Sequence, residues 1–419
     1  MRATNFLALI GLASAGLTGC GSDDNSSSAR FETKEALGEA LFHDVNLSAN
    51  RTQACATCHN PEHGFTDNRS NVTSHTESGA GAVSLGDDGT SLGDRNAPTA
   101  AYARFSPEFS WGERARLNSQ QPDYEGFMGG QFHDGRANTL SDQAEGPPLN
   151  PAEMGLANAE EAVARLQENP DYIQSFESLY GSDIWDDATL AYQAMADAIA
   201  SFEETETFAP FDSKYDRSLR GEYTYTPGSK AALGQARFFS PQFTNCGTCH
   251  QLKLNNSKGE TFTGYEYHNI GVPKNLVAQQ ANGRGSNFVD QGLLDNTAVT
   301  DEAERGKYKT PTLRNVAITA PYMHNGVFAE LETVIRFYDH FAPGSTNIIN
   351  PETGLAWREP KVPETVATTE LRDASKMSDR DVEGLVCFML TLTDARYEHM
   401  ISDETWADCE ELPSNTVSF

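Results

Sequence analysis

Cys55-Ala56-Thr57-Cys58-His59 recurs further along the chain as Cys246-Gly247-Thr248-Cys249-His250. Each is a C-x-x-C-H run, the attachment pattern of a c-type haem. Two thiols three residues apart can each add to a vinyl group of one porphyrin, and the adjoining histidine binds the iron from the proximal side. The spacing is short because all three side chains must reach one flat, rigid object. Two C-x-x-C pairs could instead cage a zinc ion with four thiolates, but that cage has no use for a histidine directly after each pair. At this composition a chance C-x-x-C-H is expected ~0.003 times per chain, so two copies point to two covalent haems, on His59 and His250.

Working outward, residues 1–20 read as an export signal: Arg2 is a thin positive region, Phe6 to Leu17 an apolar run too short for a permanent membrane span, and Leu17-Thr18-Gly19-Cys20 its end. That end resembles the bacterial lipobox, which implies cleavage and a lipidated Cys20. Gly21 and Ser22 after the cysteine point to the outer membrane of a Gram-negative cell, facing the periplasm, with the lipid as the only membrane attachment. Residues 21–32 are a polar tether with nothing to bury. Seven cysteines then divide into one for lipid, four for haem, and Cys387 and Cys409. In an oxidising compartment that last pair is expected to form a disulfide tying the C-terminal tail to the preceding helix, two buried thiols being the alternative.

The net charge is −29, from 60 acidic and 31 basic residues. Such a surface repels phosphates, so nucleic acid is not an expected partner. It suits either simple solvation in a salty habitat or docking of a basic redox protein; composition does not separate the two, and the plainer account is the expectation. Helical periodicity is predicted over Glu35 to Phe42, Asn158 to Asn169, Asp187 to Glu206, Gly228 to Phe239, Glu330 to Phe341 and Ser378 to Asp394, the last opening with a Ser378-x-x-Asp381 capping box. Phe208 to Pro227 reads as a polar link, and Asn71 to Gly93 and Ala342 to Pro363 as long loops. The expected fold is mainly α: a peroxidatic haem domain over 33–207, a linker over 208–227 and an electron-transfer haem domain over 228–419, both domains cytochrome c-like.

Several motifs then occur in order. They include Leu41-Phe42-His43-Asp44, Gly64-Phe65-Thr66-Asp67, Arg95-Asn96-Ala97-Pro98-Thr99, Asp134-Gly135-Arg136-Ala137, Asn150-Pro151-Ala152-Glu153-Met154, His268-Asn269-Ile270-Gly271, Pro311-Thr312-Leu313-Arg314-Asn315-Val316 and Thr319-Ala320-Pro321-Tyr322-Met323-His324-Asn325-Gly326. With the haem motifs they make the chain resemble the bacterial dihaem cytochrome c peroxidase and MauG family from about Leu37 to Thr393. The resemblance implies an enzyme that reduces hydrogen peroxide to water, fed by a small cytochrome c or a cupredoxin. Its rivals are a MauG-like enzyme that uses peroxide to oxidise side chains of a partner protein, and a non-catalytic dihaem electron carrier.

The resemblance places the distal acid at Glu153 and the distal glutamine at Gln143, and a calcium ion at Asn96, Thr319 and Pro321. The loop histidine that closes the first haem in some members is missing after Ser84-Leu85-Gly86, where Asp87 stands; His75 in the same loop reads as a solvent-exposed residue. A tryptophan usually precedes Asp-Gly-Arg between the haems, and here His133 replaces it. The second haem's distal ligand, methionine in peroxidases and tyrosine in maturases, falls on Tyr338. Leu331, Val334, Ile335 and Tyr338 share one helix face at i, i+3, i+4, i+7, whereas His340 should point away and Met323 is a weaker competitor.

Overall fold

Thr33 opens the first helix, α1 (Lys34–Phe42), by accepting the Ala36 N–H on its hydroxyl, and Ser229 opens a later one, α3 (Lys230–Phe238), by accepting that of Ala232. The two are copies in sequence: Thr33-Lys34-Glu35-Ala36-Leu37-Gly38-Glu39-Ala40-Leu41-Phe42 against Ser229-Lys230-Ala231-Ala232-Leu233-Gly234-Gln235-Ala236-Arg237-Phe238. Each packs by its glycine on a second helix. Gly38 of α1 lies so close to α2 (Ala188–Glu203) that a Cβ there would sit 1.9 Å from the Ala198 carbonyl. Gly234 of α3 meets α5 (Asp379–Leu390), and its Cβ would sit 1.8 Å from the Gly384 carbonyl. The same motif thus makes the same close helix crossing twice.

In this computed structural model, residues 30–76, 79–116, 121–252 and 259–412 are described. The export signal, Cys20 and all of the tether before residue 30 lie outside them. The fold is mainly helical; among the described residues the sheet structure is three two-stranded antiparallel ribbons. One of these, β1 (Ser110–Arg114) with β2 (Tyr124–Met128), has no sequence signal, since its outer face is charged and Gly112 and Gly126 sit inside it. No described helix is long and apolar enough to cross a membrane.

Two large apolar cores result among the described residues. The first gathers Leu37, Phe42, Phe65, Phe176, Met195 and Phe208 around α1 and α2; the second gathers Phe238, Phe262, Phe328, Phe337, Leu385 and Phe388 around α3, α4 (Leu331–Asp339) and α5. The expected helices are present with ends shifted by a few residues, and a further one, Pro170–Tyr180, begins at Pro170. Proline suits a first helical position because its missing N–H is unpaired there anyway. The stretch 208–227 is less of a tether than its polarity implied. It contains the helix Lys214–Leu219, sends Phe208 into the first core and Tyr215 into the second, and supplies Asp216 to the buried Arg314. At the C-terminus, Cys387 of α5 is disulfide-bonded to Cys409 of α6 (Asp403–Glu410).

Candidate functional site

Both C-x-x-C-H runs end in one local construction. Cys55–Cys58 and Cys246–Cys249 are single helical turns, and the next N–H donates back to the first cysteine's carbonyl, His59 to Cys55 at 2.8 Å and His250 to Cys246 at 3.0 Å. His59 Nδ1 then donates to the Phe65 carbonyl (3.2 Å) and His250 Nδ1 to that of Phe262 (2.9 Å). These phenylalanines are fully buried and left-handed, at φ 56° and 52°. A Pro-Thr pair braces each one: Thr99 Oγ1 donates to the Gly64 carbonyl (2.6 Å) and Thr312 Oγ1 to that of Thr261 (2.7 Å). With Nδ1 committed to a carbonyl, Nε2 carries the ring's lone pair, the usual device for orienting a ligating imidazole. Burial holds both imidazoles below their ordinary pKa, His250 down to about 4, so both are neutral.

The four thiols are free, and burial pushes those of Cys55 and Cys58 up to about 12. No group of three or more ligating side chains among the described residues holds more than one of them, which removes the four-thiolate zinc cage. Around Cys246, Cys249 and His250 the chain encloses a cavity of about 360 Å³. Lys309 and Lys361 also face it, with ammonium groups that burial pushes down to about 7 and about 8. An apolar cavity with two attachment thiols, an oriented imidazole and two half-buried lysines fits a covalently bound haem with its acidic substituents; the first site repeats the thiols and the imidazole.

Glu153 lies within electrostatic reach of both thiols of the first site. Its N–H donates to the Asn150 carbonyl (3.0 Å) and its carboxylate accepts from Asn150 Nδ2 (2.8 Å). Burial raises its pKa, with the Arg136 guanidinium pulling the other way, and its charge is felt by both Cys55 and Cys58. Gln143 lies half-buried in the short helix Leu140–Ala144. Asp87 is engaged elsewhere, accepting from Thr52 Oγ1 and the Asn50 N–H (both 2.5 Å). His75 is exposed, its Nδ1 against the carbonyl of Thr73 (3.1 Å).

At the second site Leu331, Val334, Ile335 and Tyr338 all line the cavity, as does Met323. Burial pushes the Tyr338 phenol up, and the thiols of Cys249 and Cys246 push it further. His340 lies flat on Trp357 (ring centroids 5.3 Å) and its Nδ1 bonds the Phe337 carbonyl. Asn96, Thr319 and Pro321 line the same cavity. Asn96 Nδ2 donates to Ala82 (3.0 Å), which leaves its Oδ1 open, and the backbone carbonyls of Thr319 and Pro321 accept no backbone N–H among the described residues. His133 is half-buried with its Nε2 on the Asn96 carbonyl (2.9 Å), and desolvation lowers it to about 4. Trp111 lies at the surface on β1, 55% exposed.

Sequence reasoning missed three groups here. Glu203, at the end of α2, is buried within electrostatic reach of Cys55, and burial raises its carboxyl to about 8. Lys309 and Lys361 were not singled out either. Nothing in a sequence marks a lysine or glutamate as buried; only the cavity does.

A family model for di-haem cytochrome c peroxidase matches residues 32–224. Methylamine utilization protein MauG of Paracoccus denitrificans is 45% identical over 371 residues, 88% of this chain and 90% of that protein. Cytochrome c peroxidase Ccp of Escherichia coli is 32% identical over 74% of this chain and 54% of its own length. Among solved structures, the diheme peroxidase BthA of Burkholderia thailandensis superposes with a TM-score of 0.72 at 28% identity, covering 90% of both chains.

Proposed function

The chain belongs to the di-haem cytochrome c peroxidase and MauG family, and from that premise we propose that it reduces hydrogen peroxide to water with electrons from a small redox protein. It is a dihaem oxidoreductase acting on peroxide. The balance is one peroxide, two protons and two electrons to two waters, so two one-electron donors are oxidised per turnover.

Bound haem supplies the one-electron chemistry; the chain supplies the rest. Cys55, Cys58 and His59 hold the peroxidatic group, and Cys246, Cys249 and His250 the one that receives electrons, each in a cytochrome c-like domain built on the repeated glycine-crossed helix pair. Glu153 carries the proposal. A half-buried carboxyl of raised pKa, held by Asn150 near the first attachment site, can take peroxide's proton and return it to the departing oxygen. Gln143 positions peroxide by hydrogen bonding. A calcium ion held by Asn96 Oδ1 and the Thr319 and Pro321 carbonyls suits the open oxygen atoms there. Export and lipidation at Cys20 place the enzyme on the periplasmic side of the outer membrane.

Turnover of peroxide by the purified dihaem protein with a reduced dye tests the reading: two electrons consumed per peroxide support it, and an inert protein leaves only the electron carrier. Tyr338 and the 45% identity to MauG favour a second reading, oxidation of a partner protein's side chains. A phenolate ligand stabilises ferric and higher iron better than a thioether does, which suits a second haem that stores oxidising power. Tyr338→Phe should then turn the ferric second haem high-spin; an unchanged low-spin spectrum would remove Tyr338 as ligand.

A further inference from the structure

The ribbon β1–β2 has an outer face that is largely exposed. Its register sets Trp111 opposite Phe127 and Glu113 opposite Glu125, and cross-strand partners share a face. Trp111, Glu113 and Glu125 are all exposed. The indole stands edge-on against Phe127 (5.0 Å), and Phe127 stacks on Phe109 (5.0 Å, planes 5° apart), so it is rigidly backed. Two carboxylates directly opposite one another repel. The nearby Arg114 and Arg116 do not relieve them, because both turn inward towards Glu266 (3.9 and 3.4 Å). Glu113 and Glu125 have no ion pair among the described residues, and exposed Glu108 adds to the charge. The opposed carboxylates do not serve folding, and the indole leaves more than half of its surface open.

The inner face of the same ribbon lies against the second C-x-x-C-H site. Arg114 donates to the Gly264 carbonyl, and the Gly264 N–H donates to that of Cys249 (2.8 Å). Tyr124 packs on His268 (5.4 Å), which lines the cavity, and Met128 pairs with Glu266. Trp111 is three residues from Arg114 along one strand, about 10 Å. Electron tunnelling weakens steeply with distance, and a partner seated on the outer face is joined to the second site through this one ribbon and the Arg114–Gly264–Cys249 contacts.

We propose that the outer face of this ribbon is where the electron donor docks, and that the donor is a small redox protein with positive charge around its redox centre. The proposal rests on the peroxidase reading and deepens it. Each encounter would pass one electron to the haem that Cys246, Cys249 and His250 would hold, oxidising that donor by one electron; two encounters would supply the pair that one peroxide takes. The net charge of −29 draws a basic partner towards the whole molecule, while Glu113, Glu125 and the indole fix where it settles.

The test is the affinity of the dihaem protein for a basic mitochondrial-type cytochrome c, by calorimetry at low ionic strength. The variants are Glu113→Lys/Glu125→Lys, Trp111→Ala, and a charge-matched control, Glu39→Lys/Glu177→Lys, on helices of the first core. The ribbon reversal sets lysine opposite lysine, so its folding cost matches the native repulsion. It should raise Kd by about tenfold or more, Trp111→Ala by about threefold or more, and the control by less than about twofold. Equal weakening by both reversals, an unmoved Kd in the ribbon variant, or no measurable native binding would overturn the proposal. Dye-coupled peroxide turnover of the native protein is read separately: its failure removes the peroxidase reading, whereas the comparison of dissociation constants decides the surface.

Discussion

Glu153 acts through where its carboxyl is held, on a turn whose Asn150 amide steadies it while burial keeps it easy to protonate. Glu153→Gln preserves shape and the contact with Asn150 but cannot carry a proton. We expect both haem spectra unchanged and the reaction with peroxide slowed by about 10² or more in stopped-flow; an unaltered rate would move proton transfer elsewhere. Glu203 makes a separate prediction. Burial raises its folded pKa from 4.5 to about 8, so the folded protein binds a proton that the unfolded chain has lost between those values. Its contribution is intact below pH 4.5 and is lost as pH rises through about 8. Glu203→Gln should therefore raise the Tm at pH 8.5 and leave it nearly unmoved at pH 4.5; equal shifts at both would show that the carboxyl does not titrate as described. The attachment residues are legible in sequence because covalent haem demands Cys, Cys and His within five positions. Glu203 and the two cavity lysines are not, since their chemistry comes from what folds over them.

The helix pairs show the same limit one level up. Apolar spacing and a capping box reveal α4 and α5 to within a few residues, because burial of one face is written at 3.6-residue intervals. The ribbon β1–β2 escapes that reading, since its outward positions are Trp111, Glu113, Glu125 and Phe127 and its inner ones include two glycines. Gly38 and Gly234 read as ordinary weak points of a helix until the crossing shows that nothing larger fits. A methyl group there would meet a carbonyl at 1.9 or 1.8 Å, so the helices must separate. Gly38→Ala and Gly234→Ala should each destabilise the protein by about 1–3 kcal/mol despite alanine's better helix propensity. Gly247→Ala, whose nearest atom would be 3.5 Å away, is the control. Urea unfolding of the three variants decides it, and a gain in stability at either crossing would contradict the packing.

Across the whole molecule the two cores are joined by a polar seam. Tyr102, from the first core, donates to Asp394 (2.5 Å), which also accepts from Asn315 (2.8 Å), and Tyr397 reaches back to the Pro61 carbonyl (2.5 Å). Arg314 lies at the centre. It is 1% exposed, pairs with Asp216 (2.5 and 2.8 Å) and donates to Glu260. Its guanidinium stands over Tyr102, Phe211 and Phe262 at 5.1–5.3 Å. One residue thus touches the first core, the connecting stretch and the phenylalanine whose carbonyl orients His250. Arg314→Met would leave Asp216 buried beside no cation, a loss of about 3–5 kcal/mol, whereas removing both charges in Arg314→Met/Asp216→Leu should recover much of it. Denaturant unfolding of the dihaem protein measures the pair. A second readout separates a loose seam from a merely weaker core: if Arg314 holds Phe262 in place, the single variant should also perturb the absorbance of the second haem more than that of the first. Equal stability of the single and double variants would mean that the buried ion pair does not join the two cores.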